Sequence, residues 1–177
     1  RMPGVVAAVE TNDAVDLLTF EEKVKGYEAC AKALEGRDCV CCLGCNGPTW
    51  EQMIKEAKAI EEVAKRHPKT FVAMISRPPD TGKTQADIRD YFERLGAVAT
   101  RPVIIQTAVN ATCPAPEVKL LIDLARKWPM TFGYIKEESG GAQANERMKQ
   151  ENAAKPVIHT VFSAWGGWQW LHQSRRC

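Results

Sequence analysis

The chain has 177 residues, 45% of them apolar and 26% charged, which is the balance of an ordinary globular domain. Its formal charge of +2 is too small to argue for nucleic acid or an anionic membrane surface as partner. No apolar stretch approaches the roughly 18 residues of a membrane span, and the opening Arg1-Met2-Pro3-Gly4 holds no secretory core. These features predict a cytoplasmic protein, with an N-terminus expected to be incomplete.

Short apolar runs alternate with amphipathic segments. The first run, 4–9, precedes a helical segment marked by Phe20, Val24, Tyr27, Ala31 and Leu34. Run 39–45 precedes one marked by Trp50, Met53, Ile54, Ala57, Ile60 and Val63. Run 70–76 precedes Ile88, Tyr91, Phe92 and Leu95. Run 102–108 precedes Val118, Leu121, Ile122 and Ala125. Within each run the apolar residues are consecutive, as in parallel strands covered on both faces, whereas the intervening residues keep a helical period.

Thr19 with Glu22, Thr49 with Gln52 and Thr84 with Asp87 have capping-box spacing. Pro116 suits the first turn of the fourth helix, and Arg126 and Lys127 suit its C-terminal end. Run 130–136 leads into a polar segment, 142–152, read as a fifth helix with Met148 as its single large apolar residue. Run 157–163 is the sixth strand, and the tail adds Trp165, Trp168 and Trp170.

Repeats of about thirty residues are the length of a βαβ unit. Glycine-rich dinucleotide turns are missing after every strand, which favours a barrel over an open doubly wound sheet. The expectation is one α/β domain over residues 1–177: an incomplete (β/α)₈ barrel with about six of eight strands, truncated at both ends.

Four of the seven cysteines crowd into Cys39, Cys41, Cys42 and Cys45. A zinc site on Cys42-Leu43-Gly44-Cys45 lacks a second ligand pair. Cysteine as a small apolar strand residue is the simpler reading, and neither metal nor cofactor is expected. The segment Gly82-Lys83-Thr84, between a strand and a helix, imitates a phosphate-binding loop. Arg77 replaces that motif's first glycine, and Pro78 and Pro79 remove two backbone donors.

The chemistry concentrates in Phe132-Gly133-Tyr134-Ile135-Lys136-Glu137-Glu138-Ser139-Gly140. A lysine ends an apolar strand where barrel active sites lie. Apolar walls there disfavour its charge and expose a nucleophilic amine. From position alone, a solvated lysine just past a strand end is the preferred reading.

Gly133-Tyr134-Ile135-Lys136-Glu137-Glu138-Ser139-Gly140 resembles the G-x-I-K-E-x-S/T-G motif of the dihydrodipicolinate synthase and N-acetylneuraminate lyase family. Leu18-Thr19-Phe20-Glu21-Glu22-Lys23 is similar to that family's helix start, and Asn46-Gly47-Pro48-Thr49 to its turn into the next helix. Ser76-Arg77-Pro78-Pro79 resembles its double-proline turn, and Pro102-Val103-Ile104-Ile105 its P-V-I-L-Y-N strand. Order and spacing hold over nearly the whole chain.

The resemblance implies a Schiff-base aldolase or lyase in which Lys136 forms an imine with pyruvate or another 2-oxo acid, with an aldehyde as second reactant. A dehydratase using the same imine is the close variant. It also implies a homo-oligomer, and Thr11, Gln106, Thr107, Ser139 and Gly140 around the substrate. Two positions depart from the pattern. Gln106 stands where the family has a proton-relaying tyrosine, and an amide is no phenol-type acid. Glu10-Thr11-Asn12-Asp13 stands where the family's T-T-G-E turn holds the substrate carboxylate, and only Thr11 matches. These departures keep a catalytically silent binding barrel, or an inactive fragment, as the alternative.

Overall fold

The computed structural model describes residues 4–9, 15–108 and 113–163. Among these residues six strands alternate with five helices: β1 Gly4–Ala8, α1 Phe20–Ala33, β2 Cys39–Gly44, α2 Trp50–Arg66, β3 Phe71–Ser76, α3 Gln85–Gly96, β4 Val103–Gln106, α4 Val118–Lys127, β5 Tyr134–Glu137, α5 Gly141–Ala153 and β6 Thr160–Ser163. A 3₁₀ turn, Val15–Leu17, precedes α1. The strands form one sheet in the order β1-β2-β3-β4-β5-β6, and every neighbouring pair is parallel. Spatial order therefore equals chain order, the topology of a (β/α)₈ barrel, here as a six-strand arc. Among the described residues no helix is long and apolar enough to cross a membrane.

The central strands β2, β3 and β4 are largely buried on both faces, which is why they read as continuous apolar runs. On the helix side, Cys41, Leu43, Val72, Met74, Val103, Ile105 and Ile135 pack against Tyr27, Met53, Ile60, Phe92, Leu95 and Leu124. On the inner side, Cys42, Ala73, Ile75 and Ile104 form a second cluster, flanked by Val40, Tyr134 and Phe162. Alternate residues of one strand feed the two clusters, as the two-residue period of a strand requires.

The predicted capping boxes form at Thr19 with Glu22 and at Thr84 with Asp87. At α2 only half of the box forms: Thr49 accepts from the Gln52 N–H. Two sequence expectations are corrected. Helix α4 begins at Val118 with Glu117 as N-cap, so Pro116 lies before the cap and not in the first turn. The Glu117 N–H is instead satisfied by Gln85 Oε1 at 2.8 Å. Residues 130–132 are not strand. The Thr131 and Phe132 N–H groups both donate to the Trp128 carbonyl, a turn that finishes α4. Phe132 packs edge-on to Phe92 and Trp128 with centroids 6.3 and 5.9 Å away.

Candidate active site on the inner face of the sheet

The sheet register assembles the site. Lys136 pairs with Gln106 on β4 and with Phe162 on β6. Paired residues face the same side of a sheet, so Gln106 and Lys136 stand side by side at the C-terminal end of the inner face. Below them lies a concavity of about 210 Å³, lined by Val5, Ala7, Cys42, Ile75, Ile104 and Phe162, with Lys136 at its edge. The side chain of Lys136 is 22% exposed, so it is sheltered while still open to a small molecule.

The apolar wall expected around the lysine is there on one side only. On the other, Glu138 brings Oε1 to 3.2 Å from Lys136 Nζ. The second oxygen of Glu138 accepts a short hydrogen bond from Gln106 Nε2. Gln106 is 2% exposed, so this amide is a fixed part of the site. Glu138 was not singled out from the sequence. It sits in the variable position of the motif, but two residues after Lys136 the strand period returns a side chain to the same face.

The remaining predicted residues form a frame. Thr107 is fully buried; its N–H donates to the Lys136 carbonyl at 3.0 Å, and its hydroxyl accepts from the Glu138 N–H at 2.7 Å. It fixes the turn that carries Glu138. The Ser139 N–H donates to Glu137 Oε1 at 2.8 Å. Gly140 is the N-cap of α5 with φ 83°, a left-handed conformation that glycine adopts without steric penalty.

Thr11 lies outside the described residues, as do Glu10, Asn12 and the three tail tryptophans. Just before them, Val9 has φ 52°, rare for a β-branched residue. Its side chain lies so close to Gly26 that a Cβ there would come within 2.7 Å of Val9 Cγ2.

Opposite the cavity, Glu137 points toward α5. Arg147 Nε donates to Glu137 Oε2 at 3.1 Å and Arg147 Nη2 to the Pro116 carbonyl at 2.7 Å. Burial raises the Glu137 carboxyl pKa, but hydrogen bonding from Ser139 and the Arg147 charge outweigh it and hold the group below its ordinary range. Glu151 is fully buried, with Arg147 Nη2 at 3.6 Å. Burial first, and the Glu137 charge second, push its carboxyl up to about 8.

The cysteines divide between the faces: Cys42 joins the inner cluster, and Cys41 and Cys45 the outer one. Cys42 and Cys45 therefore do not converge. Burial raises the Cys41 thiol to about 11, consistent with a small apolar side chain. In the loop that imitates a phosphate site, the Lys83 N–H is taken by Asp87 Oδ2 at 3.0 Å. His159 contacts Tyr134, with ring centroids 5.2 Å apart, and its Nε2 lies 3.0 Å from the Pro129 carbonyl.

An arc of parallel βα units with a lysine at the C-terminal end of its inner face is the architecture of a lysine-bearing (β/α)₈ barrel. The fold is that of the dihydrodipicolinate synthase family. YagE, a prophage protein of that family from E. coli K12, solved in complex with pyruvate, superposes with a TM-score of 0.79 at 17% identity, covering 95% of this chain and 55% of its own. A dihydrodipicolinate synthase from Acinetobacter baumannii, complexed with pyruvate, gives 0.77 at 14% identity with the same coverage. The enzyme from Cyanidioschyzon merolae with lysine bound gives 0.77 at 18%, covering 90% of this chain and 51% of its own. The chain thus spans about half the length of these structures. Searches against protein-family models and curated protein sequences find no match.

Proposed function

We propose that the chain carries the lysine half of a class I aldolase or lyase active site, in which Lys136 forms an imine with a 2-oxo acid of the pyruvate type. The supporting observation is the placement of Lys136 on the inner face, at the mouth of an apolar concavity and beside a carboxylate. Pyruvate is the probe of choice because two structures of this fold were solved with it bound. The protonated imine withdraws electrons from the adjoining carbon, so that a C–C bond to an aldehyde carbon can be made or broken there. A dehydratase acting through the same imine draws on the same groups.

Within this reading Thr11 holds the substrate carboxylate, and Gly140 and Ser139 shape the turn beside the lysine. Gln106 and Thr107 fix the carboxylate partner of the lysine. We further propose a cytoplasmic homo-oligomer; Cys39, Cys41 and Cys45 are free thiols, as a reducing compartment keeps them.

Borohydride trapping tests the reading. Full-length protein treated with pyruvate and borohydride is expected to gain one pyruvate-derived adduct, mapped to the peptide containing Lys136 and lost in Lys136→Ala. A folded wild-type protein that gains no adduct would replace this reading with a catalytically silent barrel.

A further inference from the structure

We infer that Glu138 is the acid–base residue of the lysine chemistry, with Gln106 as the residue that positions it; this rests on the imine reading above. Three contacts hold the Glu138 carboxylate at the reacting atom. Its backbone N–H is tied to Thr107 Oγ1 at 2.7 Å, one oxygen is bonded by Gln106 Nε2, and the other lies 3.2 Å from Lys136 Nζ. The side chain is 8% exposed, so bulk water does not screen the pair strongly. A carboxylate at that distance is within reach of the protons that the nitrogen must lose. The Gln106 amide has no proton to exchange in this range, so its part is to hold the acid.

The sequence of transfers closes on itself. Glu138 takes a proton from the Lys136 ammonium, and the freed amine attacks the keto carbon, forming the C–N bond while the C=O π pair moves to oxygen. The Glu138 acid returns its proton to that oxygen. It then takes a second proton from the nitrogen and delivers it to the hydroxyl as the C–O bond breaks. The nitrogen lone pair forms the C=N bond and water leaves. Ammonium and ketone thus become protonated imine and water, with one positive charge on each side and the carboxylate regenerated. A passive ion pair would instead hold the lysine charged and contribute nothing to transfer.

Single-turnover trapping of pyruvate by the full-length protein separates these cases. Glu138→Gln is expected to slow adduct formation by about 100-fold, with pyruvate affinity nearly unchanged. Glu138→Ala is expected to recover part of the rate when formate is added, whereas Lys136→Ala recovers none. Gln106→Leu is expected to reduce the rate while leaving pyruvate affinity in place. Should the glutamine variant fail to fold, Glu138→Ser gives the same comparison. Trapping by Glu138→Gln or Glu138→Ser at the wild-type rate, or formate-insensitive Glu138→Ala, would overturn the role of Glu138 while the imine reading stands. A wild-type protein that traps no pyruvate would remove both together.

Discussion

Glu151 and Glu137 share one arginine, and their carboxyls are displaced in opposite directions. For Glu151 the folded value, about 8, lies above the unfolded one, so the native state binds the extra proton between about 4.5 and 8. Stability from this group is complete below that window and declines as pH rises through it. Glu151→Gln is expected to flatten the decline and to raise stability above pH 8 by on the order of 1–2 kcal/mol, read from urea unfolding at several pH values. Glu137, shifted down, acts in the opposite sense and only below about 4.5, so the two windows do not overlap. At this scale the position of Lys136 near a strand end was legible because apolar run, glycine turn and motif coincide there. Glu138 was not, because no residue type in its position is demanded locally. Its meaning comes from Gln106, thirty-two positions away, and only the sheet register brings the two together. The Glu137–Arg147–Glu151 network is hidden for the same reason.

Helix α5 shows what pattern reading finds and what it misses. The expected segment, 142–152, is helical, and the observed helix extends one residue beyond it at each end. Its composition gave only a weak reason for it to dock, since Met148 is its one large apolar residue, 2% exposed. Arg147 supplies another: it joins the helix to β5 through Glu137 and to the Pro116 carbonyl. Arg147→Ala leaves Glu137 buried without its cation, and a loss of about 2–4 kcal/mol is expected in urea unfolding. Loss of the cap in Thr84→Ala is expected to be smaller, about 1 kcal/mol. Strands β4 and β5 are shorter than their apolar runs because apolar residues also line the turns. Phe132 is apolar for its contacts with Phe92 and Trp128, not for a place in the sheet. Hydropathy alone does not separate the two uses.

For the whole molecule, the repeat of strand and helix, read with missing dinucleotide glycines, was enough to predict the arc of six parallel strands. Among the described residues the same order makes β1 and β6 the outer members of the sheet, and Val5 and Val6 on β1 are each 43% exposed. Parallel edges of this kind pair readily with other chains. The 177-residue chain by itself is expected to elute above its 19.7 kDa in size-exclusion chromatography, and Val6→Lys is expected to shift it toward the monomer. Among the described residues each strand bonds only to strands adjacent in sequence, so every pairing closes a stretch of about thirty residues, and none joins the first repeat to the last. The arc thus behaves like a short repeat array, its cooperativity passed from neighbour to neighbour. Amide hydrogen exchange should then be graded along the chain, slowest in β3 and β4 and fastest in β1 and β6. Lys136, on β5, would sit beside β6, one of the two strands that exchange fastest.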